Sequence, residues 1–142
     1  MIAVTSLEHI HKKGRFGNYH KKDEKNLLQI SEVKNLTIIQ LVQYKKSKIQ
    51  PNVIKVEDLD LPLENPKVTA NKETRILWNA PRTWLIISSK KNIISAIKDK
   101  CDHENFAVTD ISHSRAVIQI KGLQSKEVLK KGCPININEI QV

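Results

Sequence analysis

An alternation of apolar strand pairs with two short amphipathic helices predicts an α+β fold for this chain, in preference to a parallel sheet. Three observations carry that expectation. Residues 36–44 (LTIIQLVQY) are an almost unbroken apolar run, the pattern of a strand buried on both faces. Residues 75–78 and 84–88 are two further strand-like segments joined through Asn79, Ala80, Pro81 and Arg82. Pro81 fixes its own φ and lacks a donor, so it belongs in the connection and in neither ladder. Residues 90–101 place Ile93, Ile94, Ile97 and Cys101 on one helical face and Lys91, Lys98 and Lys100 on the other, with Ser88 or Ser89 as a candidate N-cap.

The remaining elements follow in chain order. Residues 1–26 are polar and basic, with Gly14, Gly17 and the charged run KKDEK at 21–25. They hold too few apolar side chains to order themselves and read as a flexible arm preceding a single domain over 27–142. Residues 27–30 form a short strand before the long one, and the lysines of 45–48 return the chain to solvent. Pro51, Pro62 and Pro66 punctuate 50–71, which reads as a loop with one short element around 53–61. Residues 106–111 and 116–120 are strand-like and flank Ser112, His113 and Ser114, so they read as a hairpin. Gly122 lets the backbone turn into a helix. Lys130, Lys131, Gly132 and Pro134 form a stop signal that ends it at about Lys131.

Size and composition narrow the function classes. A chain of 142 residues is one domain by length and buries roughly 68–70% of its unfolded surface. With 39% hydrophobic but only 4% aromatic residues, its core must be built of Ile, Leu and Val. The net charge of +9 invites a nucleic-acid module, an alternative reading of the chain. Against it, the lysines are scattered, and arginine, the residue suited to bidentate phosphate contacts, occurs only at Arg15, Arg75, Arg82 and Arg115. Cys101 and Cys133 cannot make a disulfide framework and lack C-x-x-C spacing, which points to a reducing cytoplasm. The first residues carry no apolar leader core, and no run approaches 18 apolar residues, so neither export nor membrane spanning is expected.

Candidate chemistry is sparse. Burying one indole removes roughly 150–250 Å² from water, worth up to about 4–6 kcal/mol; an exposed ion pair at Arg82 gives at most about 1 kcal/mol. Trp78 and Trp84 therefore read first as packing residues, then as subunit contacts, and last as a stacking platform for a pteridine-like ring. Asp110, Ser112 and His113 suggest a catalytic constellation, but successive residues at a strand end point to opposite faces, so they read as turn chemistry. A folate contact from Asp110 is the functional alternative. His9, His11 and His20 supply three imidazoles, yet His9 and His11 face opposite ways if extended, and no metal site is expected. Cys133 follows a helix C-terminus, which disfavours a thiolate, and reads as structural. Only four glycines occur, none in a phosphate-loop order, so no NAD, FAD or ATP signature is present.

Particular letters point further. Asp110, Ser112, Arg115, Gly122, Val128, Leu129, Lys131, Gly132, Cys133 and Pro134 resemble a pattern of D-V-S, an arginine, an apolar strand, G-P-x-A-x-x-V-L and K-G-C-P. That pattern belongs to the gamma subunit of heterotetrameric sarcosine oxidase. Residues 76–87 (ILWNAPRTWLII) are similar to its L-W-L-G-P-D-E-W-L-L-I, matching at Leu77, Trp78, Pro81, Trp84, Leu85 and Ile87. The residues Ser6, Leu7, Glu8 and His9, and the stretch 28–32, resemble its opening. Ala80, Arg82 and Thr83 replace the family's glycine and acidic pair, and the chain stops at Val142, where gamma subunits continue through further strands and a closing helix.

The resemblance implies a T-protein-like, folate-binding-domain fold, with antiparallel strands, helices packed on one face, and a shortened C-terminus. It implies a non-catalytic subunit bracing the alpha subunit of an enzyme that oxidatively demethylates sarcosine and passes the one-carbon unit to tetrahydrofolate. Alpha, beta and delta subunits would be the partners, and FAD, FMN, NAD, tetrahydrofolate and zinc would sit in those subunits, with no cofactor in this chain. Trp78, Pro81, Arg82, Trp84, Asp110, Ser112, Arg115, Lys131, Gly132, Cys133 and Pro134 would be the family-motif and contact residues, with Asp110 and Trp84 the nearest to a cofactor role. A D-V-S-H string also occurs in the glycine-cleavage T-protein, so a folate-binding one-carbon transfer protein is the enzyme-class alternative. An unpaired sheet edge at 115–121 or 135–142 would make the isolated chain form a homodimer or depend on its partner subunit.

Overall fold

The computed structural model describes residues 7–8, 14–16, 27–65, 67–134 and 136–137. Its backbone groups into two compact units, one running over Asn35–Arg115 and one joining Met1–Lys34 with Ala116–Val142. The arm expected over 1–26 lies largely outside the described residues.

In the second of these units, β2 (Leu28–Val33) pairs with both β1 (Gly14–Phe16) and β10 (Val117–Lys121) in an antiparallel sheet of order β1-β2-β10. The register sets Ile30 opposite both Gly14 and Ile120. The turn after β10 requires Gly122, whose φ is +138° and whose missing Cβ would fall 2.8 Å from the Leu27 carbonyl oxygen. Helix α2 (Ser125–Gly132) ends one residue beyond the predicted stop and has no buried residue. Gly132 takes the last helical position, without the left-handed conformation expected of it.

The larger unit contains β3 (Thr37–Gln43), a small hairpin of β4 (Lys55–Val56) and β5 (Leu59–Asp60), then β6 (Val68–Ala70), β7 (Thr74–Ala80) and β8 (Thr83–Ser88). Helix α1 (Ile93–Lys100) and β9 (Phe106–Asp110) complete it. Five strands form one antiparallel sheet of order β6-β7-β8-β3-β9. The period of two puts Ile39 and Leu41 of β3, Trp84 and Ile86 of β8, Ile76 of β7 and Phe106 of β9 on one face. That face meets Ile93 and Ile97 of α1 and Ile54, Val56 and Leu61 from the β4–β5 region in one buried cluster. The core is mainly aliphatic, as composition requires, with Trp84 and Phe106 as its aromatic members.

Its buried polar groups are satisfied. Thr74 and Ser88 share a hydroxyl hydrogen bond of 2.9 Å across β7 and β8. The Gln43 side-chain Nε2 donates to the Ile49 carbonyl at 2.6 Å.

Three expectations are corrected. The stretch 106–120 is no hairpin: β9 pairs with β3 and β10 with β2, in separate sheets. The Ile111 amide donates to the Ile38 carbonyl and Ser112 Oγ accepts from the Ile38 amide, both at 2.9 Å, so the exit of β9 is bound to the start of β3. A one-turn 3-10 segment, Ser112–Ser114, then redirects the chain.

Residues 50–71 also hold more structure than one short element, with a 3-10 turn, a hairpin and β6. Their hairpin turn places Glu57 and Asp58 at positive φ without glycine or asparagine, so the usual turn letters are missing. Lastly, α1 starts at Ile93, and Asn92 precedes it without a side-chain cap. Ser88 Oγ accepts instead from the Lys90 amide at 3.1 Å. Among the described residues no helix is long and apolar enough to cross a membrane.

Candidate functional site

The motif residues fall into three groups. The first is the β7–β8 hairpin. Trp84 is only 2% exposed, and its indole N–H donates to the Pro62 carbonyl at 2.7 Å. This ring is enclosed and its one donor is used. Trp78, its cross-strand partner, is half-buried. Pro81 and Arg82 form the exposed turn between them, with Arg82 at φ 60°. The Arg82 carbonyl accepts from the Gln43 amide at 2.8 Å, and its guanidinium donates to the Tyr44 carbonyl at 3.2 Å. Arg82 therefore bonds the hairpin to the end of β3, a structural role that an acidic residue at this place could not fill in the same way.

The second group lies at the opposite end of β3. One Asp110 carboxylate oxygen accepts from the Ser112 amide at 2.9 Å and from the Ser112 hydroxyl at 2.5 Å. With Ser112 Oγ also accepting from Ile38, the hydroxyl is committed on both sides. Its hydrogen bond, followed by that of the Ser112 amide, holds the Asp110 carboxyl below the usual range. Ser112 and His113 form no nucleophile and base pair: the serine proton goes to a carboxylate, and His113 stands exposed in the 3-10 turn. Arg115 is exposed just beyond it.

The third group, Lys131, Gly132, Cys133 and Pro134, belongs to the end of α2 in the other unit. The Cys133 amide donates to the Leu129 carbonyl at 2.9 Å, closing the helix, and its side chain is half-buried. Cys101 is buried in the larger unit, and burial pushes its thiol up to about 11, so it is a protonated core residue at neutral pH. His9, His11 and His20 lie outside the described residues. Among the described residues no three His, Cys, Asp or Glu side chains gather into a metal-holding group.

Two features escaped sequence reasoning. Lys90 bridges the carboxylates of Glu57 and Glu73, the latter at 3.5 Å, and binds the strained β4–β5 turn to the end of β8. A groove of about 630 Å³ also runs beside β9 and the last turn of α1. Neither carries a local signature, because each depends on which strands become neighbours.

The arrangement defines a small mixed α+β protein with antiparallel sheets, in which Arg82, Trp84, Asp110 and Ser112 are engaged in turns and packing while Arg115 and Lys131 stand exposed. Among solved structures it is similar to a chain of heterotetrameric sarcosine oxidase from Corynebacterium sp. U-96, determined in complex with pyrrole 2-carboxylate. The TM-score is 0.72 at 23% sequence identity, and the match covers 83% of this chain and 63% of that one. The two share a fold, and this chain spans less than two thirds of its neighbour's length. No family model and no curated protein matches the sequence.

Proposed function

We propose that this chain is a non-catalytic, gamma-type subunit of a heterotetrameric sarcosine-oxidase-like complex, bracing the T-protein-like region of a larger subunit. The observation that carries this reading is the shared fold with a chain of such a complex over most of this sequence. The state of the motif residues agrees with it: Ser112 is held between Asp110 and Ile38, Trp84 is enclosed, and the Cys133 amide closes α2 on the Leu129 carbonyl. In this reading flavin, nicotinamide, folate and zinc chemistry belongs to the alpha, beta and delta subunits, in the cytoplasm. Trp78, Pro81, Arg82, Arg115 and the Lys131 to Pro134 segment supply shape and contact area. The enclosure of Trp84 disfavours the folate-binding alternative, which needs an open ring face.

Coexpression with the alpha, beta and delta subunits of the same organism tests the reading. The tagged chain is expected to copurify with them in stoichiometric amounts. Recovery of the chain alone would end the proposal.

A further inference from the structure

Helix α2 carries an apolar stripe that the chain leaves uncovered. With about 3.6 residues per turn, Ser125, Val128, Leu129 and Gly132 fall at i, i+3, i+4 and i+7 on one face. Val128 and Leu129 are 40% and 42% exposed, and Leu123, just before the helix, is 75% exposed. Leu123 holds the position from which an apolar side chain can staple onto Val128, yet its own exposure leaves it open to solvent.

Gly132 is the second observation. Its expected use as a left-handed helix stop is not realised, because it closes α2 with helical backbone. In that conformation glycine is less stable than alanine. Crowding within the chain does not require it either. A Cβ at Gly132 would meet no described atom within 4 Å, whereas one at Gly122 would fall 2.8 Å from the Leu27 carbonyl oxygen. A side chain missing from an exposed apolar stripe is accounted for by a body outside the chain that approaches the helix backbone there.

Charge selects the occupant. On the helical wheel Lys126 borders the stripe beside Leu129, and Lys131 borders it beside Val128. Neither forms an ion pair among the described residues. The one acid of the helix, Glu127, lies on the opposite face and is paired with Lys130 at 2.7 Å. A second copy would set lysine against lysine whether the two helices ran parallel or antiparallel. A lipid surface suits lysine borders, but it is fluid, yields around a methyl group and gives no reason for the glycine.

We infer that the α2 face of Ser125, Val128, Leu129 and Gly132 is the surface by which this chain docks on a partner protein, against an apolar strip edged by carboxylates that reaches the helix backbone at Gly132. The inference rests on the subunit reading for the identity of the partner as a larger subunit, and on α2 itself for the mode of binding.

The test measures binding of the full chain to the purified alpha, beta and delta subunits of the same organism by biolayer interferometry, beside thermal melts of the chain alone. Gly132→Ala is expected to leave the melting temperature unchanged or higher, and to weaken subunit binding at least about tenfold. Val128→Glu, at an exposed position, is expected to fold and to weaken binding by about the same factor. A labelled helical peptide with an alanine and leucine stripe edged by glutamates, read by fluorescence anisotropy, is the probe that needs no subunit. Subunit binding undiminished by Gly132→Ala would overturn the inference and leave the subunit reading standing. A lower melting temperature for Gly132→Ala would overturn it too, because the glycine would then serve the chain itself. Self-association, or sedimentation with phosphatidylserine vesicles, that Val128→Glu abolishes would give the face another occupant and overturn it. Peptide binding that Gly132→Ala weakens, without subunit binding by the wild type, would end the subunit reading alone; absence of both would end both.

Discussion

Trp84 combines the largest buried side chain of the sheet with a buried hydrogen bond to Pro62, two contributions that substitutions can separate. Trp84→Ala is expected to lose about 3–5 kcal/mol in urea unfolding. Trp84→Phe keeps much of the packing and leaves the Pro62 carbonyl unpaired, for a loss of about 1–3 kcal/mol. Asp110 carries a pH prediction. Its folded carboxyl titrates below the unfolded one because of the Ser112 hydroxyl. Its contribution is therefore present above the unfolded value and is lost as pH falls through the folded one. Thermal melts from pH 6 to pH 2 should fall less steeply for Asp110→Asn than for the wild type. The thiols separate as well. Cys101, buried and raised to about 11, should react with a thiol reagent at pH 8 far more slowly than the half-buried Cys133, read by peptide mass.

Strands and helices with strong periodicity were readable in advance, because their signals are local. The buried run of β3, the apolar stripe of α1 and the Gly122 turn all appear where the letters place them. Phe106 to Lys121 shows where locality fails. Both strands were legible, but their partners were not, since β9 is claimed by β3, far away in the chain. The β4–β5 turn fails differently. Glu57 and Asp58 stand at φ 53° and 64°, a conformation that costs ordinary residues about 1–2 kcal/mol. The Lys90 bridge and the bond from the Asn71 side-chain Nδ2 to the Glu57 carbonyl offset that cost from outside the turn. Asp58→Gly is therefore expected to stabilise the protein by about 0.5–1 kcal/mol, and Lys90→Ala to destabilise it by about 1 kcal/mol or less, both by chemical denaturation.

For the whole molecule, the sequence by itself determined the class: an aliphatic, lysine-rich α+β chain without a phosphate loop or metal motif, whose particular letters resemble one family. The class needs only composition and short-range periodicity, and the resemblance needs only the letters in order, all of which the unfolded chain already possesses. Tertiary structure alone decided that Arg82 bonds to Tyr44, that Ser112 joins Asp110 to β3, and that β9 lies at an edge with a groove beside it. Each of these depends on antiparallel pairing between segments about 40 to 70 residues apart. Such pairing is chosen by burying one sheet face against α1 while satisfying the peptide groups along every interior strand, a competition settled only when the whole chain has folded.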